Sequence, residues 1–394
     1  MKVLLRAPLM TSSGYGVHSR QLMRWLLSRK DIELHVECLR WGQCSWMVDT
    51  RKEDGLIAEI TKRAVPLQSG TYDVTFQVQL PDEWDDKLGK VNIGVTAAVE
   101  TDKCNPDWVK SCNKMDHIIV PSTFTKNVIK RSGMLTTKIS VIQEWYNPII
   151  DDNQRVKKTL KQKKFKQIKG NFNFLVLGQI TSMSTDGDRK NLINTLAAIF
   201  DEFKHDESVG IVLKTSLGKS TTMDKISTRN FLCNILPQMR KGKNPLYFVH
   251  GDLEPEEVCA LYRHKSIKAF AIATRGEGYG LPLIESAASG LPIVTTRWSG
   301  HLEFLNTDLF KSVNYKLIDI PKSKVDNRIF MEGARWAEPD LYDFKGQARK
   351  IHDDYTSSKK DADKLKLEIT EKFNKTVIMQ KYDKLLLGVV NNDA

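Results

Sequence analysis

Cysteine is scarce in this sequence of 394 residues, and no Cys-x-x-Cys motif occurs among its six cysteines. This pattern argues against a zinc site and favours free thiols in a reducing compartment. No apolar run reaches the roughly 20 residues that a membrane-spanning helix needs. The apolar stretch after Met1 is too short for a secretory signal and is better explained by a strand. We therefore expect a cytoplasmic protein without stable insertion in a membrane.

Acidic side chains are outnumbered by basic ones, 48 against 60, which gives a formal net charge of +12. Such an excess indicates affinity for polyanions: nucleic acid, an anionic lipid surface or a phosphorylated glycan. The length suffices for two domains with separate cores. A hydrophobic content of 41% and a charged content of 27% are typical of a globular protein.

The most informative stretch runs from Arg275 to Gly300. Apolar runs at 267–274 and 291–296 predict two buried strands. Between them, a glycine-rich turn precedes a helix that we expect to begin near Pro282. A strand, a glycine turn and a helix N-terminus form a site where backbone N–H groups can bind phosphate. Two carboxylates, Glu277 and Glu285, flank this turn. The alternative is a plain turn with solvated glutamates.

A second glycine-rich turn follows the first predicted strand, 1–5. Gly14 and Gly16 precede a predicted amphipathic helix at 17–29. A glycine loop between a first strand and a first helix is a usual ligand position at the carboxyl edge of a parallel sheet. A simple turn explains the pattern equally well.

Three further features come from other parts of the chain. Glu100 follows a predicted strand at 91–99 and can orient a hydroxyl or cap a helix. Residues 155–169 hold eight basic residues and no acid, which favours a solvated, flexible face and leaves a role beside the substrate open. Trp336 is predicted to begin a helix, and the last helix is predicted at 375–387.

The stretch from Leu246 to Phe304 resembles the signature of retaining GT-B glycosyltransferases of the family 4-like group. In that signature two glutamates eight positions apart bracket a glycine-rich turn, and here they are Glu277 and Glu285. The opening of the chain, with Ser-Gly-Tyr-Gly-Val-His at 13–18, is most similar to phage-encoded members. The resemblance implies an α/β GT-B fold, with two Rossmann-like domains, a cleft between them and C-terminal helices that cross back to the first domain. The implied parts are an acceptor-side domain at 1–154, a basic linker at 155–170, a nucleotide-sugar domain at 171–345 and helices at 346–394.

The resemblance also implies the roles of single residues. Lys190 matches the family's phosphate-binding lysine, whereas Gln179 occupies the position of its arginine, which Arg189 can replace. Asp186 and Asp188 are spaced like a metal-binding motif of another glycosyltransferase architecture, and we expect no metal site there. The expected catalytic residues are Glu277, Lys190 and Glu100. The expected donor-binding residues are Gly14, Tyr15, Gly16, Arg189, Lys190, Lys214, Gly278, Tyr279, Gly280, Leu281 and Glu285.

The implied function is retaining transfer of a sugar from a nucleoside diphosphate-sugar, a UDP-sugar above all, to an acceptor hydroxyl. The donor is a substrate, and no cofactor is expected. The basic balance and the phage-like opening suggest a hydroxymethylated pyrimidine of phage DNA as acceptor. A cell-surface glycan or lipid-linked acceptor, a non-catalytic sugar-nucleotide sensor and a GT-B epimerase are the alternatives. The oligomeric state stays open.

Overall fold

The computed structural model describes residues 1–42, 44–64, 66, 70–306 and 308–390. The chain divides into two units. The first contains Met1–Trp145, Val325–Ala334 and the chain from Lys375 onwards. The second contains Tyr146–Lys324 and Arg335–Asn374. The chain thus returns to its first unit at its last helix.

The first unit is built on a parallel six-stranded sheet. Its strands are β1 (Lys2–Ala7), β2 (Glu33–Cys38), β3 (Tyr72–Val78), β4 (Gly89–Val95), β5 (His117–Val120) and β6 (Ile139–Val141), in the spatial order β2-β1-β3-β4-β5-β6. Its helices are α1 (Gly14–Ser28), α2 (Leu56–Arg63), α3 (Pro106–Cys112), α4 (Thr123–Ser132) and α13 (Lys375–Val390). Ser13 and Ser122 cap α1 and α4 through their hydroxyl oxygens, which explains where both helices begin.

The second unit contains another parallel six-stranded sheet and a short antiparallel ribbon. The sheet strands are β7 (Phe172–Leu177), β8 (Val209–Thr215), β9 (Leu246–His250), β10 (Ile267–Ile272), β11 (Ile293–Thr296) and β12 (Lys311–Val313), and the ribbon pairs β13 (Tyr315–Asp319) with β14 (Arg335–Pro339). The helices are α5 (Asn153–Leu160), α6 (Lys163–Lys166), α7 (Leu192–Glu202), α8 (Thr222–Met239), α9 (Pro255–Tyr262), α10 (Leu281–Ser289), α11 (Leu341–Asp353) and α12 (Tyr355–Lys372). The sheet order is β12-β11-β10-β7-β8-β9.

Both sheets are buried on both faces, as parallel sheets usually are. All six residues of β7 are buried, and so are all four of β5. The near-continuous apolar sequences of β5 and β7 account for this burial. The predicted α/β class with two Rossmann-like units is confirmed.

The basic run at 155–169 is helical, and most of its basic side chains are exposed, as expected of a solvated face. It forms α5 and α6, in which Val156 and Phe165 are buried. Arg155 and Lys164 pair with Glu256 and Glu257 of α9. The sequence signal missed this packing because the apolar residues are widely spaced among the lysines. The segment groups with the second unit, which begins at Tyr146, whereas the sequence placed a linker at 155–170.

The structure differs from the predicted secondary structure at three other places. Arg335–Pro339 is the strand β14, and the helix that follows it begins at Leu341, where the Asp340 side chain caps it. Residues 56–63, for which no helix is predicted from the sequence, form α2, whose buried residues are Leu56, Ile57 and Ile60. The helix predicted at 17–29 begins at Gly14, so both glycines of the predicted turn lie inside α1.

The last helix, α13, contributes to the core of the first unit. The Tyr382 ring stacks on Trp25 of α1 at a centroid distance of 4.9 Å, and its hydroxyl lies 3.0 Å from His18 Nε2. In contrast, α11 and α12 belong to the second unit. Within the described residues, no helix is both long enough and apolar enough to cross a bilayer.

Candidate functional site

The strand order of the second sheet defines where a ligand site is expected. The chain runs outward from β7 to β8 and β9, and then returns to the other side of β7 with β10. In open parallel sheets, ligands bind beyond the carboxyl ends of the strands at such a reversal. Here the reversal lies between β7 and β10, whose following loops carry Lys190 and Glu277.

Lys190 and Glu277 form a short ion pair at this reversal. Lys190 Nζ lies 2.5 Å from Glu277 Oε2, and their side chains are 18% and 7% exposed. Burial tends to raise the pKa of Glu277, but the charges of Lys190 and Arg189 outweigh it and hold the pKa below its ordinary value. Glu277 is therefore a carboxylate near neutral pH, and Lys190 is its main cation. The sequence predicted both residues, and the structure brings them together.

The Glu277 carboxylate and backbone are fixed by neighbouring groups. The Thr274 hydroxyl donates to Glu277 Oε1 at 3.0 Å. The Glu277 N–H donates to Ser299 Oγ at 2.8 Å, and the Gly300 N–H donates to the Glu277 carbonyl at 2.8 Å. These contacts tie the loop after β10 to the loop after β11. Glu277 is thus held in one orientation before any ligand binds.

Lys190 is positioned by the first residue of its helix. Asn191 caps α7 in a left-handed conformation with φ 53°, and its side-chain amide donates to the Ala273 carbonyl at 2.9 Å. Asparagine is among the few residues that tolerate this conformation. The start of α7 is therefore fastened to the end of β10, with Lys190 directly before the junction.

Two arginines brace the same loop, but they face different groups. Arg189 donates through Nη1 to the Gly276 carbonyl at 2.8 Å. Arg275 is buried, pairs with Glu338 at 2.7 Å and donates to the carbonyls of Thr185 and Asp188. Arg275 was missed as a site residue by sequence reasoning, although it opens the glycine-rich stretch. Its bonds show that it holds the loop 178–191 in place.

The glycine-rich turn leads into α10 without a side-chain cap. Gly280 is the N-cap with φ 101°, a conformation that favours glycine, and Pro282 lies in the first turn. A Cβ on Gly280 would lie 3.1 Å from His301 Cβ. The N–H groups of Leu283 and Ile284 both donate to the Gly280 carbonyl. These two N–H groups are thus used inside the helix, which leaves the N–H groups of Gly280 and Leu281 as the ones available at its start. Gly278 and Tyr279 lie in the turn before them, and the Tyr279 ring packs edge-on against Phe304.

Ser299 and His301, which follow β11, complete this side of the site and were not predicted as site residues. His301 is fully buried, and its Nε2 donates to the Thr296 carbonyl at 2.8 Å. Burial lowers its pKa, so the ring is neutral. Ser299 has φ 92°, which is rare outside glycine, and it accepts the Glu277 N–H. Such strain is concentrated at functional sites.

Glu285 lies on α10 in a different electrostatic environment. Burial raises the pKa of Glu285 to about 7, opposed by the Tyr262 hydroxyl and by Lys214. The Tyr262 hydroxyl is close enough to Glu285 to affect its pKa, but the two groups are not aligned for a hydrogen bond. Lys214 lies on β8. Burial lowers its pKa, and the negative charges of Asp252 and Glu285 partly oppose this effect. The structure thus groups the predicted residues Lys214 and Glu285 and adds Tyr262.

The predicted donor residues of the first unit have mainly internal contacts. The Tyr15 hydroxyl lies 3.0 Å from Thr96 Oγ1 and accepts the Ala97 N–H at 3.0 Å, and its ring stacks on Trp41. A Cβ on Gly16 would lie 2.1 Å from the Thr11 carbonyl oxygen, whereas a Cβ on Gly14 would meet nothing within 4 Å. Gly16 is therefore required for close packing of α1 on the preceding loop, and Gly14 is not.

Glu100 lies five residues beyond the end of β4 and not at the strand end, because β4 stops at Val95. Its side chain is half-buried. Burial is the main cause of the raised pKa of the Tyr15 hydroxyl, and the nearby negative charges of Glu100 and Glu144 raise it further. Glu100 thus belongs to a cluster at the carboxyl edge of the first sheet.

Asp188 and Asp186 have separate surroundings. Asp188 is fully buried and accepts hydrogen bonds from the Thr181 hydroxyl and from the Leu192 N–H. Asp186 is exposed. Among the described residues, no cluster of three or more His, Cys, Asp or Glu side chains is arranged to hold a metal ion. Asp188 shapes the loop before α7.

Comparisons with known proteins give a fold likeness without a sequence relationship. No model of a known protein family matches the sequence. A search of curated protein sequences found no significant match. Solved structures do match over nearly the whole chain. A glycosyltransferase from Rickettsia africae aligns with a TM-score of 0.69 at 12% identity, covering 99% of both chains.

Two further structures show the same likeness. The sucrose-phosphate synthase of Thermosynechococcus elongatus has a TM-score of 0.63 at 12% identity and covers 100% of both chains. HepE from Anabaena, solved in complex with UDP-glucose, has a TM-score of 0.61 at 11% identity and covers 98% of this chain and 100% of its own. The structural neighbours are GT-B glycosyltransferases, which confirms the predicted GT-B fold. Because the identities are only 11–12%, the likeness concerns the fold alone.

Proposed function

We propose that this protein is a retaining glycosyltransferase that uses a nucleoside diphosphate-sugar, a UDP-sugar, as donor. The observation that carries the proposal is the buried Lys190–Glu277 pair at the strand reversal of the second sheet. A cation and a carboxylate beside the uncapped start of α10 can bind the two ends of one ligand, the diphosphate and the sugar hydroxyls. The UDP-glucose bound by HepE supports the choice of a UDP-sugar.

The diphosphate is assigned to Lys190, Arg189 and the N-terminus of α10. Negative charge grows on the leaving phosphate as the glycosidic bond breaks, and preorganised cations stabilise that charge. Lys190 exchanges its contact with Glu277 for the phosphate when the donor binds. Lys214 adds positive charge at the end of β8.

Glu277 is assigned to the hydroxyls of the donor sugar. Its ionised carboxylate is an acceptor of hydrogen bonds only, and Thr274 and Ser299 fix its orientation. Glu285 is assigned to the ribose hydroxyls of the donor. The oxygen atoms of a carboxyl group can accept hydrogen bonds from both ribose hydroxyls.

Retention requires the acceptor oxygen to attack from the face that the diphosphate leaves. In this step the bond between the anomeric carbon and the phosphate oxygen breaks, and a bond to the acceptor oxygen forms. The acceptor proton passes to the departing phosphate oxygen. No strong base of the protein is then needed, and Glu100 serves to orient the acceptor.

Donor binding is tested by thermal unfolding with a set of nucleoside diphosphate-sugars. A true donor raises the unfolding temperature by mass action. The same measurement on Lys190→Ala should show a lost or reduced shift, whereas Lys345→Ala should keep it, because Lys345 pairs with Asp201 outside the site. A nuclear magnetic resonance spectrum of the product then reports the anomeric configuration. Inversion would refute retention, and no shift with any donor would refute the assignment of the site.

The acceptor that we propose is a hydroxymethylated pyrimidine of DNA, and the exposed face of α5 and α6 supports it. Apart from Lys164, which pairs with Glu257, the exposed lysines there share one property: within the described residues, none of them forms an ion pair. They are Lys157, Lys158, Lys161, Lys163, Lys166 and Lys169. The apolar residues of both helices are buried, so the face offers charge without a hydrophobic surface for insertion into lipid. Phosphate backbones bind such faces through counterion release.

The acceptor is tested by transfer of labelled sugar to hydroxymethylated duplex DNA at increasing salt. Activity should fall steeply with salt, and replacement of Lys157, Lys158 and Lys161 by glutamine should flatten the dependence. Replacement of three exposed lysines of α12, Lys360, Lys364 and Lys372, is the matched control. Transfer to a glycan or lipid-linked acceptor with a flat salt profile would replace DNA as the acceptor. Donor binding without any release of nucleotide would indicate a sensor.

A further inference from the structure

A groove with a volume of about 750 Å³ runs along β6, the outermost strand of the first sheet. One wall consists of residues 135–138 and Lys130 at the end of α4, and the other consists of Lys381, Lys384, Leu385 and Gly388 of α13. We call this feature the β6 groove. It belongs wholly to the first unit and contains none of the residues assigned to the donor.

The charge of the β6 groove is of one sign. Its lining includes four lysines, Lys130, Lys138, Lys381 and Lys384, and no carboxylate. Within the described residues, Lys130, Lys138 and Lys384 form no ion pair, and Lys381 donates to the neutral side-chain amide of Gln143 at 2.6 Å. Four cations around one concavity raise the local concentration of anionic ligands.

The floor of the groove is a strand edge. The Ile142 N–H donates to Val120, and the Lys138 carbonyl accepts from Ile118, so residues 138, 140 and 142 direct their backbone groups to β5. By the alternation of a parallel ladder, Ile139 and Val141 direct their N–H and carbonyl groups away from β5, to the groove. An edge of this kind can pair with a further extended chain.

The rims add apolar contacts on both sides of this edge. Leu135 and Leu385 are half-buried residues of opposite walls. Gly388 has no side chain to narrow the groove on the α13 side. A chain laid along β6 would direct alternate side chains to the two walls, so each wall could meet an acidic or an apolar residue.

We propose that the β6 groove binds an extended acidic peptide segment of a partner protein, which adds to the first sheet as a strand beside β6. The backbone of the segment pairs with Ile139 and Val141, and its carboxylates pair with the four lysines. This interaction is independent of the donor site and of the proposed transfer reaction.

The strand edge is the reason for choosing a peptide over a nucleic acid. Ile139 and Val141 present both donors and acceptors, and a peptide backbone satisfies both. A phosphodiester backbone has acceptors only, and would leave the outward carbonyl groups without partners. Nucleic acid binding is therefore the outcome that would contradict the proposal.

Binding is tested by fluorescence anisotropy with a short labelled peptide in which glutamate alternates with threonine and valine. A peptide with lysine in place of glutamate is the control ligand. We expect the acidic peptide to bind at least about tenfold more tightly than the basic one, and the Lys381→Glu/Lys384→Glu variant, whose groove carries no net charge, to lose this preference. Lys30→Glu/Lys87→Glu changes the net charge equally on exposed lysines outside the groove and should leave binding unchanged. Equal binding of both peptides, or complete competition by a single-stranded oligonucleotide, would overturn the proposal.

Strand addition is separated from mere charge attraction by a backbone measurement. Bound peptide should slow hydrogen exchange of the Ile139 and Val141 amides. Val141→Pro removes one outward N–H and keeps the ladder to β5, because proline is tolerated at a sheet edge. This variant should bind the acidic peptide about tenfold more weakly, since it loses a backbone bond and blocks close approach. Unchanged exchange and unchanged affinity of Val141→Pro would exclude a strand and leave only a charged surface.

Discussion

The two sheets have six parallel strands each, but the chain reverses direction at different places in them. In the first sheet the reversal lies between β1 and β3, and in the second it lies between β7 and β10. The second order is that of dinucleotide-binding folds, and the first resembles the flavodoxin-like order. Each reversal creates a crevice at the carboxyl edge, so strand order alone would assign a ligand to both units.

The side chains at the two reversals differ in kind. In the second unit, Lys190 and Glu277 form an ion pair that a charged ligand can exchange. In the first unit, the Tyr15 hydroxyl is bonded to Thr96 and Ala97, and Arg20 holds the carbonyls of Leu9 and Thr11. The proposed function therefore assigns the donor to the second unit, whereas the side chains at the first reversal are engaged in internal hydrogen bonds.

The largest effect is expected from the charged pair. Glu277→Gln keeps the size of the side chain and removes its charge, so it should lower kcat about 100- to 1,000-fold, the usual effect of losing one such group. Steady-state rates with the identified donor measure this. Lys345→Ala should keep the native rate. A Glu277→Gln variant with the native rate would contradict the assignment of the reaction to the loops at the second reversal.

The second-largest effect is expected at glycines that pack closely against the backbone, one in each unit. A Cβ on Gly300 would lie 2.0 Å from the Gly278 carbonyl oxygen, and one on Gly16 would lie 2.1 Å from that of Thr11. Alanine at either position should lower the free energy of unfolding by about 3 kcal/mol or more, because backbone cannot yield as a side chain can. Gly14→Ala should be nearly neutral. Denaturant unfolding of the three variants measures these differences. A Gly300→Ala variant with the native free energy of unfolding would contradict the close contact of this loop with Gly278.

The units should respond to pH in opposite directions. Glu285 has its pKa raised from 4.5 to about 7 in the folded state. Its contribution is complete below pH 4.5 and is lost as the pH rises through 7, by about 1–2 kcal/mol after allowance for partial exposure. Burial lowers the pKa of His18 from 6.5 to about 4. Its contribution is present above pH 6.5 and is lost as the pH falls through 4, by about 3 kcal/mol at most.

The two contributions are measured from the free energy of unfolding of Glu285→Gln, His18→Gln and the native protein over this pH range. Hydrogen exchange assigns each change to its unit. Parallel pH profiles of the native protein and of either variant would show that the corresponding group does not titrate as described.

The smallest effect is expected from Tyr15→Phe. The variant keeps the ring on Trp41 but loses the hydroxyl bonded to Thr96 and Ala97, so the free energy of unfolding should fall by about 1 kcal/mol. Donor affinity should be unchanged if the first reversal is only a scaffold. A large loss of donor affinity at native stability would restore Tyr15 to the donor site, as the sequence predicted.

Local sequence determined the strands and the glycine turns. Apolar runs such as 172–177 and the turn at 276–280 are local signals, because burial and positive φ act on residues near one another in the chain. The resemblance of 246–304 to a glycosyltransferase signature rests on the same local spacing. For this reason the α/β class could be predicted from the sequence, and the resemblance pointed to Glu277 and Lys190 as site residues, whereas their ion pair is seen only in the structure.

Tertiary structure alone decided which groups surround these residues. Ser299 and His301 reach Glu277 only because β11 lies beside β10, and Tyr262 reaches Glu285 only through the packing of α9 on α10. The lysine-rich run became α5 and α6 because Glu256 and Glu257, about a hundred residues away, receive Arg155 and Lys164. Contacts between residues far apart in the chain leave no periodic signal in it, because their energy depends on distances that only the folded backbone sets.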